Sequence, residues 1–500
     1  AKNTVTATTK ADSTAGGAVA VGGTLALSEV TSVTQAIIDG SATTSATALN
    51  VAAESTSTVT TSAKAATKGA KKQTATEKAA APSKSEETLA KYKDQTTTSD
   101  GSVEVAAAVA IANVNNVTLA DIASTGTQTA TGAASVSSKA ASSSTVTADG
   151  SSASGAVGVG AAVGVNVGVL VYQARIADGA NISSNGLSVS AVMPTAGGKN
   201  SFITTATSGA GASNVGVAGA LATNVLVNTS GASIEGDTNS SGTGATVNAN
   251  GGDVLVESLN TSESKVTAGA SVKPATATEP AAVGVGASVG MNVAVNTTVA
   301  EIGNAAIVNG AKDVDLTAKG THTLSNAATG GAAGADVSVT PVAAITVAAN
   351  TATARLGTGS QLSLSGAFTG SADQTSSTSS TATGQTQGNN VAVGASIALN
   401  SATDTVSAEI DRDISAAGDI AIGAKSVAKS SASSTASVKG GEKADAAGAP
   451  PAKADGSSGK SVDEKVTAQG DAAKLAGKKS ADKAAATSPT SAGLAAAAAS

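Results

Sequence analysis

The most regular feature of the chain is a run in which Val, Ile or Leu alternates with Gly, Ala or Ser, and it recurs seven times. Its clearest copies are residues 156–176 (AVGVGAAVGVNVGVLVYQARI) and 282–302 (AVGVGASVGMNVAVNTTVAEI). Each run closes on Ala-x-Ile or a near match, with markers at Ile38, Ile122, Ile176, Ile234, Ile302, Leu356 and Ile410, spaced 84, 54, 58, 68, 54 and 54 residues apart. A period of two is strand periodicity, and Val alternating with Gly makes poor helix. In the fifth copy Val283, Val285, Val289, Met291, Val293 and Val295 share one face, and Gly284, Gly286, Ser288, Gly290 and Asn292 share the other. The expectation is that the Val face is buried by stacking on neighbouring copies.

A second strand signal follows each marker, as in Asp253-Val254-Leu255-Val256, Asp313-Val314-Asp315-Leu316 and Asp419-Ile420-Ala421-Ile422. A Ser/Thr-rich stretch such as 55–62 or 376–383 then leads to the next run. Self-similarity at a fixed period, with too little apolar bulk per copy to fold alone, predicts an all-β parallel solenoid of about seven 54-residue repeats. Three strand signals per copy predict two or three turns per copy. With rungs about 4.8 Å apart, three turns would span roughly 100 Å and one wide turn roughly 34 Å. The organisation reads as repeat 1 over residues 1–63, a Lys-rich insertion over 64–100, repeats 2–7 over 101–438, and a low-complexity Lys/Ala/Gly-rich segment over 439–500. The two Lys-rich segments fall after equivalent Ser/Thr stretches and should leave one side of the stack. The long fourth copy reads as a turn extended at 236–252.

Two polar columns accompany the markers. Ten residues before them stand Asn166, Asn224, Asn292 and Asn400, with Ser28 and Thr346 in two other copies. Six residues before them stand Asn116, Asn228, Asn296 and Asn350, with Asp404 in the last copy. An Asn side chain carries donors and an acceptor, so stacked copies can pass hydrogen bonds along an axis. These residues are the structural ladder candidates, the first column favoured because its Asn sit inside alternating runs.

Composition narrows the chemistry. Two Tyr, two Phe and no Trp leave only a thin Val/Ala interior. The absence of cysteine excludes disulfides and thiolate metal sites. A net charge of −6 gives no pull toward nucleic acid. The cations are segregated: of 30 Lys and Arg, eight lie in 64–93 and eleven in 425–483. No run is apolar and long enough for a transmembrane helix. His322 is the single histidine, which excludes His-dependent triads and multi-histidine metal sites, and it reads as a surface residue. The carboxylate pairs Asp313/Asp315, Asp411/Asp413 and Glu86/Glu87 keep a sugar-cleaving enzyme or a calcium site formally open, but aromatic and basic gripping residues are scarce and the Gly-Gly-x-Gly-x-Asp repeat is missing. The expectation is a non-enzyme with no cofactor and no metal. Ice binding by the Thr-rich stretches is disfavoured because their phase varies between copies.

The segments GAVGVGAAVGVNV, AEIGNAAIVNGAKDVDLTAKG and VAVGASIALNSATDTVSAEIDRDISAAGDIAIGAKS resemble repeats of large Gram-negative filamentous surface adhesins. The resemblance is to the leukotoxin-type group and, more loosely, to filamentous haemagglutinin-like proteins, over about 18–437 without the first insertion. It implies a right-handed parallel β-solenoid (β-helix), extracellular on the bacterial cell surface, acting in attachment, aggregation or biofilm. The expected partners are the chain itself, laterally or end to end, and host or neighbouring-cell surfaces. A self-assembling filament or sheath subunit without a receptor is the alternative. The chain begins without Met and ends Ala-rich, which reads as a window from something longer.

Overall fold

A computed structural model describes residues 1–17, 19–69, 103–195, 197–237, 244–274, 281–388 and 390–440. These residues are all-β, and their pairings are parallel. Each copy contributes an A arm ending at the marker, a short edge strand, and a B arm holding the Ser/Thr stretch. In the first copy these are Val19–Ile38, Thr44–Ala46 and Leu49–Gly69, and in the last Val391–Ile410, Ile414–Ala416 and Ile420–Gly440. Three strands, Ala134–Ile176, Asn200–Ile234 and Val314–Leu356, run unbroken from one B arm into the next A arm. A further B-type strand, Lys2–Gly17, pairs with Leu49–Gly69 ahead of the first A arm.

Like stacks on like. Val19, Val103, Val157, Val215, Val283, Val337 and Val391 form one column of direct neighbours, and Val21, Val105, Val159, Val217, Val285, Val339 and Val393 form the next. Hydrogen-bonded neighbours are equivalent residues of successive copies, not residues half or a third of a copy apart. The chain therefore makes one circuit per copy, which overturns the expectation of two or three turns. Long arms explain this: an A arm of 20 residues, such as Val103–Ile122, is one strand and not two.

The Val face is likewise corrected. Gly284, Gly286, Ser288, Gly290 and Asn292 are the buried positions of the fifth A arm, whereas Val289, Met291 and Val295 are 40, 37 and 41 % exposed. The reason is width. Where B arm passes into A arm, the two backbones come together: a Cβ on Gly284 would lie 2.9 Å from the carbonyl oxygen of Ala333, and Gly160 and Gly286 face Gly209 and Gly331 more tightly still. Only hydrogen fits between such strands, so glycine turns inward and valine outward.

The interior thus changes along the arms. The glycine end is narrow. At the other end the edge strand adds a third wall, and Ile122, Ile176, Ile234, Ile302 and Leu356 pack with Ile182, Val247 and Val308 beneath it. Phe202 enters the interior against Gly168, where the missing side chain leaves room for the ring. Between the two ends the core is mixed: Asn on the A side face Ser and Thr such as Ser144, Thr204, Ser264 and Thr378 on the B side, and Leu170, Phe202, Leu226 and Leu324 are buried among them.

Several boundaries move. The first B arm continues through Gly69, into the segment read as the Lys-rich insertion, and Lys64 pairs with Asp149 there. The rest of that insertion up to Val103, the Glu86/Glu87 pair, and the terminal segment beyond Gly440 lie outside the described residues. The extra length of the fourth copy enters mainly at two places, between Ile234 and Thr246 and between Pro274 and Ala281, with one more residue between Asn248 and Val254.

Candidate functional site

The inward Asn of the first column are fully buried at Asn166, Asn224 and Asn292, and their bonds do not run to one another. The Asn166 amide donates to the carbonyls of Ser144 (3.1 Å) and Ile203 (3.4 Å). Asn224 donates to those of Phe202 (2.9 Å) and Lys265 (3.0 Å), and Asn292 to those of Ser264 (3.0 Å) and Ser325 (3.1 Å). Asn400 reaches Thr378 (3.1 Å) and Ser431 (3.2 Å) in the same way. Each Asn crosses the core and bridges two successive B strands. The oxygen is satisfied by a B-side hydroxyl, Ser144 for Asn166, Thr204 for Asn224 and Ser264 for Asn292. Where the sixth copy has Thr346, the tie is reversed: Asn326 on the B side donates to Gly290 (2.9 Å) and Ile345 (2.8 Å) on two A arms.

The second column does form an axial chain over its last three members. Asn296 donates to Asn350 (2.8 Å), and Asn350 donates to Asp404 (2.7 Å). Earlier members bond across the core instead, Asn116 to Ser142 (3.0 Å) and Asn228 to Asn260 (2.5 Å). The register pattern alone did not separate the columns, because both are in phase and both face B-side hydroxyls, such as Ser144 and Ser264 for the first and Ser142 and Ser262 for the second.

His322 belongs to this buried network and is not a surface residue; it is 1 % exposed, stacked between Ser262 and Ser376. Its Nδ1 lies 2.8 Å from the Ser262 hydroxyl, while Nε2 has no partner. Burial pushes its pKa down to about 3. A neutral, sequestered imidazole with no carboxylate beside it is not arranged as a general base.

The carboxylate pairs do not converge. Asp313 accepts the Ala367 backbone amide (2.7 Å) and the Lys312 ammonium (2.8 Å), and Asp315 accepts the Thr317 hydroxyl (2.7 Å). Asp411 pairs with Arg355 (3.3 Å). No group of three or more His, Asp or Glu among the described residues could hold a metal ion.

Sequence reasoning missed a charged seam. The middle residue of the Ala-x-Ile marker is Asp121, Arg175, Ser233, Glu301, Arg355 and Glu409 from the second copy to the seventh. Arg175 joins Asp121 (2.8 Å) to Glu235 (3.4 Å), and Arg355 joins Glu301 (2.6 Å) to Asp411 (3.3 Å). Each guanidinium therefore spans three consecutive copies. Burial raises the pKa of both Asp121 and Glu235, against the opposing pull of Arg175. The alternation of sign at that one variable position was the readable signal. Arg412, also missed, donates from the last copy to the carbonyls of Gly357 (2.5 Å), Ala306 (2.6 Å) and Gly303 (2.7 Å) in the turns of two earlier ones.

What the molecule offers outward is two unlike faces. The B face carries hydroxyls in register: Thr147, Thr205 and Thr267 are neighbours in one column, and Thr329, Thr383 and Thr435 in another. Neither column runs the length of the stack, because Thr267 is followed by Ala327 and Thr329 is preceded by Gly269, so Thr changes column between copies as expected, and Glu263 and Lys265 interrupt the array further. A groove of about 410 Å³ crosses this face, lined by Glu54, Lys139, Glu257, Ser137 and Ser190 among others. The A face carries the Val columns, and its exposed members include Leu221, Val227, Val289 and Val347. No helix among the described residues is long and apolar enough to cross a membrane. No protein-family model, curated protein or solved structure matches the chain.

Proposed function

We propose that the chain is a right-handed β-solenoid segment of a large, extracellular filamentous adhesin of a bacterial surface, acting as a non-enzymatic stiff spacer for attachment or cell–cell aggregation. The observation that carries this reading is the residue-on-equivalent-residue stacking of seven A arms, tied axially by Asn bridges and Arg clamps. Such a stack transmits force along its axis through many parallel backbone bonds. The hydroxyl-bearing B face and its Glu/Lys groove supply polar contacts suited to glycan or cell-surface ligands.

The test is attachment of purified chain to bacterial and epithelial cells. Saturable binding that weakens when residues 70–94 are removed supports a receptor-binding adhesin. Ordered filaments formed without any cell ligand support the second reading, a sheath or filament subunit, which the apolar A face favours. Neither binding nor assembly in either form of the chain would sink both.

A further inference from the structure

Among the described residues, no element covers the A face. Counting inward from the narrow end, seven outward columns precede the hydroxyl column of Thr229, Thr297, Thr351 and Thr405. Those seven columns hold one charged side chain, Glu29, at the end of the stack. With columns about 6.7 Å apart and rungs about 4.8 Å apart, the face measures about 45 by 34 Å, about 1,500 Å². Patches on monomeric proteins rarely exceed a few hundred Å², and a stable interface needs only about 800 Å² from each partner. Exposure at the first and last copies is inflated by their open edges, but the fourth and fifth are stacked on both sides and still show Leu221 and Val289 at 37 and 40 %.

We infer that this face is the seat of a second copy of the chain, packed sheet against sheet about a two-fold axis near the middle of the fourth A arm. Three features select a copy of itself over another occupant. The area suffices for a stable dimer, and a surface almost without charge meets its own copy under a two-fold without like-charge repulsion. The third column is also small, with Ala161, Gly219 and Ala287 at its centre. It forms a trough beside the ridge of Val163, Leu221 and Val289, so the ridge of one copy lies in the trough of the other. The charged seam at the marker column then falls at the rim, where it stays solvated. This deepens the fibre reading by naming its lateral contact, and it leaves the B faces outward on both sides of the pair.

The test is sedimentation equilibrium of the full chain, which requires no cell or ligand. The expected result is a dimer that Val217→Lys/Val285→Lys converts to monomer with the strand circular-dichroism signal retained. Thr205→Lys/Thr267→Lys, on the B face, should leave the dimer intact. A monomer at all accessible concentrations, a dimer unmoved by the A-face lysines, or a monomer captured through this face by phosphatidylcholine vesicles would each overturn the inference. Failure of cell attachment alone would count against the adhesin reading and leave the dimer standing.

Discussion

At the residue scale, the decisive fact is which way the small residues point. Gly286 faces the backbone of Gly331 across the narrow end, while Val285 beside it faces outward. Gly286→Val should therefore destabilise the chain by about 3 kcal/mol or more through overpacking. Val285→Ser should cost about 1 kcal/mol or less, because that side chain is only partly withdrawn from water. Urea midpoints of the two variants check the order, and a larger loss at Val285 would contradict the assignment of the faces. His322 adds a pH dependence. Its folded pKa of about 3 lies below the ordinary 6.5, so the unfolded chain takes up a proton that the folded chain refuses. Its contribution is complete above pH 6.5, falls by up to about 1.4 kcal/mol per unit as pH drops toward 3, and is flat below that. His322→Ser, matching Ser262 and Ser376 in its column, should remove this slope from a series of urea midpoints taken between pH 7 and pH 4. An unchanged slope would place the acid sensitivity elsewhere.

At the scale of the strand, stability comes from ties between arms. Asn224 donates to carbonyls on two B strands, and deleting its side chain removes both ties and the acceptor of the buried Thr204 hydroxyl. Asn224→Ala should cost about 2–3 kcal/mol, whereas Asn400→Ala, in the open last copy, should cost about 1 kcal/mol or less. Thermal unfolding of the pair checks this, and equal losses would argue that burial does not set the value of the tie. Strand type, phase and the two Asn columns were all legible, because a period of two and a fixed offset from the marker need no three-dimensional knowledge. Which face turned inward was not. Val against Gly reads as core against surface only if the interior is wide enough for Val, and width is a property of two arms that lie dozens of residues apart. The same blindness put His322 on the surface: its Thr neighbours look solvated until Ser262 and Ser376 close over it.

At the scale of the molecule, circuit length is the quantity to test, since rise, face area and stiffness all follow from it. If each copy is one circuit, excising residues 283–336 removes one rung and brings Val337 directly onto Val215, Val onto Val, with Asn350 replacing Asn296 over Asn228. The shortened chain should fold with the same strand signal, and its urea m value should fall by about one seventh in proportion to the surface it buries. Its axial dimension in solution scattering should drop by about 4.8 Å. Removing only residues 283–309 would set an A arm's place against a B arm's Ser/Thr stretch, turning glycines and hydroxyls onto partners of the wrong size. Nearest-neighbour coupling in stacked repeats makes such a fault break the stack in two, because each copy is held by the ones beside it. The half-circuit deletion should accordingly show two unfolding transitions or none. Full cooperativity retained by that half deletion would mean that each copy is made of two turns and not one.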